Sequence, residues 1–243
     1  MPFFKPDWKT AAQVTAISST RNGGVSKPPF DSMNLGNHVG DDPDKVMQNR
    51  RRLQRVANMP SAPIWLNQTH STHVEVLTQS TVQVIDADAT YTEVPNLVLS
   101  VMTADCLPIL IAAKDGSAVA AVHAGWRGLA DGIVENTLSL FKSEVQAWIG
   151  PAIGADAFEV GDDVKQAFCY SAPELASAFK THPAHHDKWL ADLPRIAAYK
   201  LNKLGVEAVE FSGHCTYSEP EQFFSYRRDG VTGRIASFIW LTD

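Results

Sequence analysis

The chain has 243 residues, enough for one large domain or two small ones, and its 44% hydrophobic and 20% charged content describe a globular protein able to bury a sizeable core. A net charge of −6 and no Lys/Arg block that looks like a nucleic-acid footprint argue against a nucleic-acid partner. No stretch reaches the roughly 18 apolar residues of a membrane span, the N-terminal "MPFFKPDWKT" has no apolar run of signal-peptide length, and Cys106, Cys169 and Cys215 are an odd count without framework spacing, so the expectation is a cytoplasmic protein without structural disulfides.

In chain order, "TAISSTRNGGVS" starts as a strand and breaks at Gly23-Gly24, and "PPFDSMNLGNHVGDDP" reads as a long polar loop. Asp42 as N-cap and Pro43 at the first helical position predict a helix to about Asn58. Its basic run, Arg50-Arg51-Arg52 with Arg55, reads as a solvated face. "PIWL", "HVEVL", "LVLSVMT", "LPILIAA" and "AVAAVHA" predict short strands, and "GLADGIVENTLSLF" carries apolar residues near helical spacing. "VQAWIG" predicts a further strand ended by Gly150-Pro151. Beyond it come helices at about 162–180, interrupted near Ser171, and about 193–204, then strands at "VEAVEF" and "RIASFIWL". Strands dominate the middle without strict βαβ alternation, which favours a layered α/β (α+β) domain with mixed sheets over a doubly wound fold. No linker separates the halves at Gly150, so residues 1–243 read as one unit.

The common signatures of P-loop, Rossmann, zincin, zinc-ribbon and α/β-hydrolase proteins are missing. Three pieces remain: "WLNQTHSTHV" with His70, "TADCLP" with Cys106, and "AVAAVHAGWRG" with His123. Two histidines and a cysteine suit zinc and leave a fourth tetrahedral position open, the pattern of a catalytic site. Their separations match no regular short motif. A loop histidine, a strand-end histidine bonded to backbone and a buried thiol explain the same residues. Gly125-Trp126-Arg127-Gly128 joins a strand to a helix, where free N–H groups and a guanidinium favour an anion; a tight turn with a solvated Arg127 is the alternative. Near the end, "CTYSEPEQFFSYRRDG" gathers Tyr217, Phe223, Phe224, Tyr226, Arg227 and Arg228, suited to stacking on a planar base or to the core.

These segments, "SSTRNGGVS", "SMNLGNHVGDD", "VMTADCLPIL", "AAVHAGWRGL", "WIGPAIGADAFEVG" and "CTYSEPEQFFSYRRDGVTGRIASFIWL", resemble in order the YfiH-like, or laccase-domain, family from about residue 11 to 241. The resemblance implies a layered fold with mixed sheets flanked by helices, and zinc ligands His70, Cys106 and His123. Thr69 stands before the first ligand where relatives often have valine; the two are close in size. It also implies phosphorolysis of adenosine, inosine, guanosine and methylthioadenosine, with adenosine deamination; some members are assigned to peptidoglycan-precursor editing. The family's older name, multicopper polyphenol oxidase, fits poorly. The chain has eight histidines and no HxH pair, and one Cys/His/His site cannot hold a trinuclear cluster and a blue copper. His182, His185 and His186 fall in one polar loop that reads as surface.

Three functional readings follow. The first is a zinc-dependent purine nucleoside phosphorylase with deaminase activity, its partners purine nucleosides and phosphate. Here Arg127 holds phosphate, Asp105 is an acid/base group or the partner of a ligand histidine, and Arg21, Asn34, Tyr226 and Arg227 line the pocket. The second is a cysteine hydrolase or amidase acting on peptidoglycan precursors, with Cys106 as nucleophile and His123 as its base. The third is a non-enzymatic, zinc-stabilised binding domain.

Overall fold

The structure, a computed structural model, describes residues Met1–Asp243. Two sheets carry it. The first is antiparallel throughout, in the order Phe3–Phe4, Val14–Ser19, Ile235–Leu241, Leu99–Thr103. The second is mixed, in the order Ala208–Phe211, Val145–Ile149, Leu107–Ala113, Val119–Ala124, Ala89–Thr92, Val74–Val76, with its two outermost pairs parallel and the rest antiparallel. Both sheets take strands from before and after Gly150.

The sheets stack face to face, and period-two alternation sorts the side chains. Leu99 and Val101 of one sheet meet Leu110, Ala112, Val119 and Ala121 of the other in a shared core. The opposite faces are covered too. Met102, Phe238 and Trp240 pack with Leu53 of the helix Pro43–Val56, while Leu107, Ile109 and Ile111 pack against Leu129, Ile133, Ile196 and Leu201 of the later helices. The result is four layers, helix, sheet, sheet, helix. It explains why "LPILIAA" is apolar at every position: both of its faces are buried.

The Pro43–Val56 helix starts where its local signals place it, with the Asp42 side chain accepting from the N–H of Asp44. Its basic run divides. Arg51, Arg52 and Arg55 are exposed, but Arg50 turns inward over the Trp65 ring, 3.7 Å from its centroid, and donates to the Leu35 carbonyl. The segment after Gly125 forms two short helices, Trp126–Asp131 and Ile133–Leu138, rather than one. Gly132, at φ 108°, ends the first and opens the second. The 162–180 segment is an α-helix, Asp162–Cys169, followed by a 3₁₀ turn, Pro173–Ala178, and a strand, Phe179–Thr181. That strand pairs with Trp189–Ala191, which pairs on its other side with Glu159–Val160, in a small antiparallel sheet. Phe223 and Phe224 are core residues, fully buried. No helix is long and apolar enough to cross a membrane.

Candidate metal centre

The chain leaves the four-stranded sheet at Thr103 and enters the six-stranded sheet at Leu107, so Ala104, Asp105 and Cys106 bridge the two. Asp105 turns the corner in the left-handed region, φ 95°, a conformation that a non-glycine residue holds only when its surroundings over-determine it. They do. The Asp105 carboxylate accepts from the Thr216 hydroxyl and from the Arg227 N–H, both at 2.7 Å. Cys106 follows at the mouth of the corner. His123 lies beside it on the Val119–Ala124 strand, which pairs Leu107 with Ala124 and Pro108 with His123.

His70 comes from a loop and is also left-handed, φ 62°. That turn is wrapped around the fully buried Asp88. One Asp88 oxygen accepts from the N–H of His70 at 3.0 Å and the Nδ1 of His123 at 2.8 Å. The other accepts from the N–H groups of Thr69 and Ser71 and from the Ser71 hydroxyl. One carboxylate thus fixes both the loop that carries His70 and the ring orientation of His123. With Nδ1 engaged, His123 presents Nε2 to Cys106.

Ligand atoms of His70, Cys106 and His123 all lie within 4.8 Å of one another, and Cys106 Sγ is 3.6 Å from His70 Nε2. Burial works to raise the Cys106 thiol, but hydrogen bonds and charge from His123 and His70 overcome it and bring it down to about 6. Burial likewise works to lower His123, while Asp88 and Cys106 together lift it to about 9. Asp88 is held well below the usual carboxylate range: its hydrogen bonds from His123 and Ser71 outweigh burial. The set suits a borderline-soft cation: one thiolate, two imidazole nitrogens, and the second-sphere carboxylate typical of ligand histidines. Gly125 completes the fit. A Cβ there would sit 2.6 Å from the His70 ring and 3.4 Å from Cys106 Sγ.

The cluster lines a cavity of about 420 Å³ with His38, Gln68, Thr103, Tyr226 and Arg234, within the range of small-molecule sites. A second cavity of about 150 Å³ shares Cys106 and Tyr226 with the first and is walled by Trp126, Ile153, Phe158 and Leu193. Of the residues expected at the site, Tyr226, 61% exposed, borders both cavities, and Asp105 and Arg227 border the second. Arg227 also donates to the Glu159 carbonyl at 2.9 Å.

Others fall elsewhere. Arg21 lies over Phe224, donates to Asp31 and the Pro220 carbonyl, and borders a separate cleft. Asn34 is fully buried, its side chain spent on Gly36, Asp41 and the N–H of Arg234. Arg127 is exposed, its guanidinium 4.3 Å from the Trp126 ring centroid, and borders neither cavity. Asp105 hydrogen-bonds neither His70 nor His123; the partner of His123 is Asp88. Asp88 and Arg234 are the residues that sequence reasoning missed. The only local signal for Asp88 is an acidic residue just before the buried strand Ala89–Thr92.

A second gathering, Glu159, His182 and His185, has a different character. His182 Nδ1 accepts from the N–H groups of Ala184 and His185, which puts its proton on Nε2, facing Glu159 at 3.4 Å. His185 Nδ1 lies 2.6 Å from the same oxygen. Here both rings face one carboxylate oxygen, and no thiol takes part.

Residues 15–242 match the family model described as multi-copper polyphenol oxidoreductase laccase. The purine nucleoside phosphorylase YfiH of Shigella flexneri is 51% identical over 239 residues, 97% of each chain. The YfiH protein of Escherichia coli K12, of the same name, is 50% identical over the same shares. The purine nucleoside phosphorylase of Haemophilus influenzae is 47% identical across 99% of both chains. Among solved structures, a Neisseria meningitidis protein superposes with a TM-score of 0.94 at 47% identity over the full length of both chains. YlmD from Geobacillus stearothermophilus superposes at 0.93 and 31%, covering 100% of this chain and 97% of that one.

Proposed function

The chain belongs to the multi-copper polyphenol oxidoreductase laccase family, and from that premise we propose that it is a zinc-dependent purine nucleoside phosphorylase that also deaminates adenosine. The observation that carries this reading is the near-full-length identity to proteins named purine nucleoside phosphorylase. The geometry is compatible with it. His70, Cys106 and His123 would hold the metal, and a zinc ion there would supply Lewis-acid polarisation of a substrate heteroatom. One Cys/His/His cluster offers too few ligands for several coppers, so zinc is preferred.

The protein's own groups do the rest. Trp126 and Phe158 wall the smaller cavity with flat apolar surface suited to a purine, and Tyr226 stands where the two cavities meet. Asp105 is a positioning residue: through the Arg227 N–H it holds the short helix Tyr226–Asp229 against the site. Phosphorolysis breaks the bond between C1′ and the base as phosphate oxygen bonds C1′, and the departing base takes up a proton. The site's place in the cytoplasm and the single-unit reading of residues 1–243 belong to the same proposal.

Incubation of metal-replete protein with inosine and with adenosine, with and without phosphate, tests it by mass spectrometry of the products. The expected result is phosphate-dependent free base and ribose 1-phosphate, and inosine formed from adenosine. Folded, metal-loaded protein that turns over no purine nucleoside overturns it.

One arrangement favours a second reading. Cys106, His123 and Asp88 stand in the order of a nucleophile, its base and the carboxylate that orients the base. Cleavage of a peptidoglycan-precursor amide by metal-free protein, stopped by a thiol-alkylating agent, is its signature.

A further inference from the structure

Arg234 is a cation without an anion. It leads into the Ile235–Leu241 strand, and its Nη1 donates to the carbonyls of Thr232 and Gly233 at 3.1 and 3.0 Å. No carboxylate pairs with it, although it borders the cavity that holds His70, Cys106 and His123. Asp105, Cys106 and Tyr226 act on it only through space, and the Asp105 oxygens are committed to Thr216 and Arg227. A partly buried guanidinium without a counter-ion is unfavourable unless an anion arrives.

Its placement is specified from the other side of the chain. Asn34 Oδ1 accepts from the Arg234 N–H at 2.9 Å. Gly36 clears room for the stem, since a Cβ there would lie 2.7 Å from Arg234 Cγ. The "SMNLGN" loop therefore aims Arg234 instead of lining the pocket itself.

A second observation is independent of charge. Thr103 borders the same cavity, is 2% exposed, and its hydroxyl has no hydrogen-bond partner. Buried hydroxyls are seldom left so. His38, at the rim, adds an imidazole that partial desolvation by its surroundings and the neighbouring Arg234 and Arg50 push toward the neutral form. Arg50 itself is spent on the Leu35 carbonyl and the Trp65 ring. It contributes field rather than contact.

We infer that Arg234, with the Thr103 hydroxyl and His38, is the binding site for a tetrahedral oxyanion, inorganic phosphate, on the metal side of the cavity. Its role as co-substrate site rests on the phosphorolytic reading above; binding of the anion does not. The arrangement puts phosphate beside the Cys/His/His cluster and the planar base in the apolar cavity beyond Tyr226. It moves the phosphate contact from Arg127, at the surface, to Arg234.

Calorimetric titration of inorganic phosphate into the purified protein, metal-replete and after chelation, tests the site, alongside KM for phosphate and for inosine. Arg234→Gln is expected to weaken phosphate by about tenfold to a hundredfold, as for loss of a charged hydrogen bond, with KM for inosine little changed. Arg234→Lys should recover part of the loss, and Thr103→Val should weaken phosphate by about twofold to tenfold. Gly36→Ala, which alters no cavity side chain chemically but presses on the Arg234 stem, should act in the same direction. Should Arg234→Gln fail to accumulate folded, Arg234→Lys and Thr103→Val carry the decision. Wild-type phosphate affinity in folded Arg234→Gln and Thr103→Val, or a loss found in Arg127→Gln instead, overturns the site. Phosphorolysis with KM for phosphate unmoved in these variants removes the site and leaves the enzyme reading. Arg234-dependent phosphate binding without any phosphorolysis does the reverse.

Discussion

At the residue scale, Asp88 organises the centre without touching the cavity. Its carboxylate holds three consecutive N–H groups, at Thr69, His70 and Ser71, and the Nδ1 of His123. Asp88→Asn keeps an acceptor oxygen but removes the charge and puts an amide donor among N–H groups. Metal affinity is expected to fall by about 10- to 100-fold, the usual effect of losing a ligand's outer partner, as read by competition with a chromophoric chelator; unchanged affinity would falsify the role. Cys106 gives a second prediction. A thiol brought down to about 6 stays ionised at neutral pH and loses its thiolate only as pH falls through that value. Alkylation of the metal-free protein at Cys106 by iodoacetamide should hold its rate down to about pH 6, where a midpoint near the ordinary value of 9.0 would contradict the geometry. The three residues that the structure gathers were singled out through the resemblance that "TADCLP" and "HAGWRG" carry, since their spacing alone matches no regular motif. Asp88 was not legible. It sits beside Asp86 in an unremarkable acidic stretch, and its partners lie 17 to 19 residues upstream and 35 residues downstream.

Elements whose cause is local were readable, and elements made by distant pairing were not. The Pro43–Val56 helix announces itself through Asp42 and Pro43. Glu159–Val160, Phe179–Thr181 and Trp189–Ala191 are two or three residues long and exist because they pair with one another, which no single window displays. The helix expected after Gly125 failed at one residue. Periodicity from Leu129 to Phe141 was real, but Gly132 supplies the φ 108° that splits it. The glycine that precedes it, Gly125, matters for another reason. Gly125 separates the end of the His123 strand from the helix Trp126–Asp131, and any Cβ there collides with the His70 ring. Its own φ of −57° suits every residue, so Gly125→Ala carries no backbone strain and isolates the close approach. The expected outcome is a folded protein with near-native circular dichroism and a metal content reduced several-fold. Full metal occupancy in that variant would show that His70 can yield without leaving the ligand set.

At the scale of the whole molecule, the three residues that could hold a metal come from three places: a loop pinned to Asp88, the corner where the chain crosses between sheets, and the end of an internal strand. Layering was foreseeable from the apolar runs. The strand order that brings His123 beside Cys106 was not, because register is settled by pairing across the sheet. A metal held by these three segments ties the loop to the six-stranded sheet in the folded state alone, so its binding energy adds to stability. With free metal at about a thousand times Kd, linkage gives ~4 kcal/mol. For a chain of this size each kcal/mol moves Tm by ~2–4 °C. Chelation should therefore lower Tm by about 8–16 °C, and one equivalent of zinc per chain should restore it. In Cys106→Ala the chelator should have no further effect, because the shift arises at this centre. A chelator-induced shift that survives in Cys106→Ala would place the stabilising ion elsewhere, and a second zinc equivalent lost on His182→Ala would place it at Glu159.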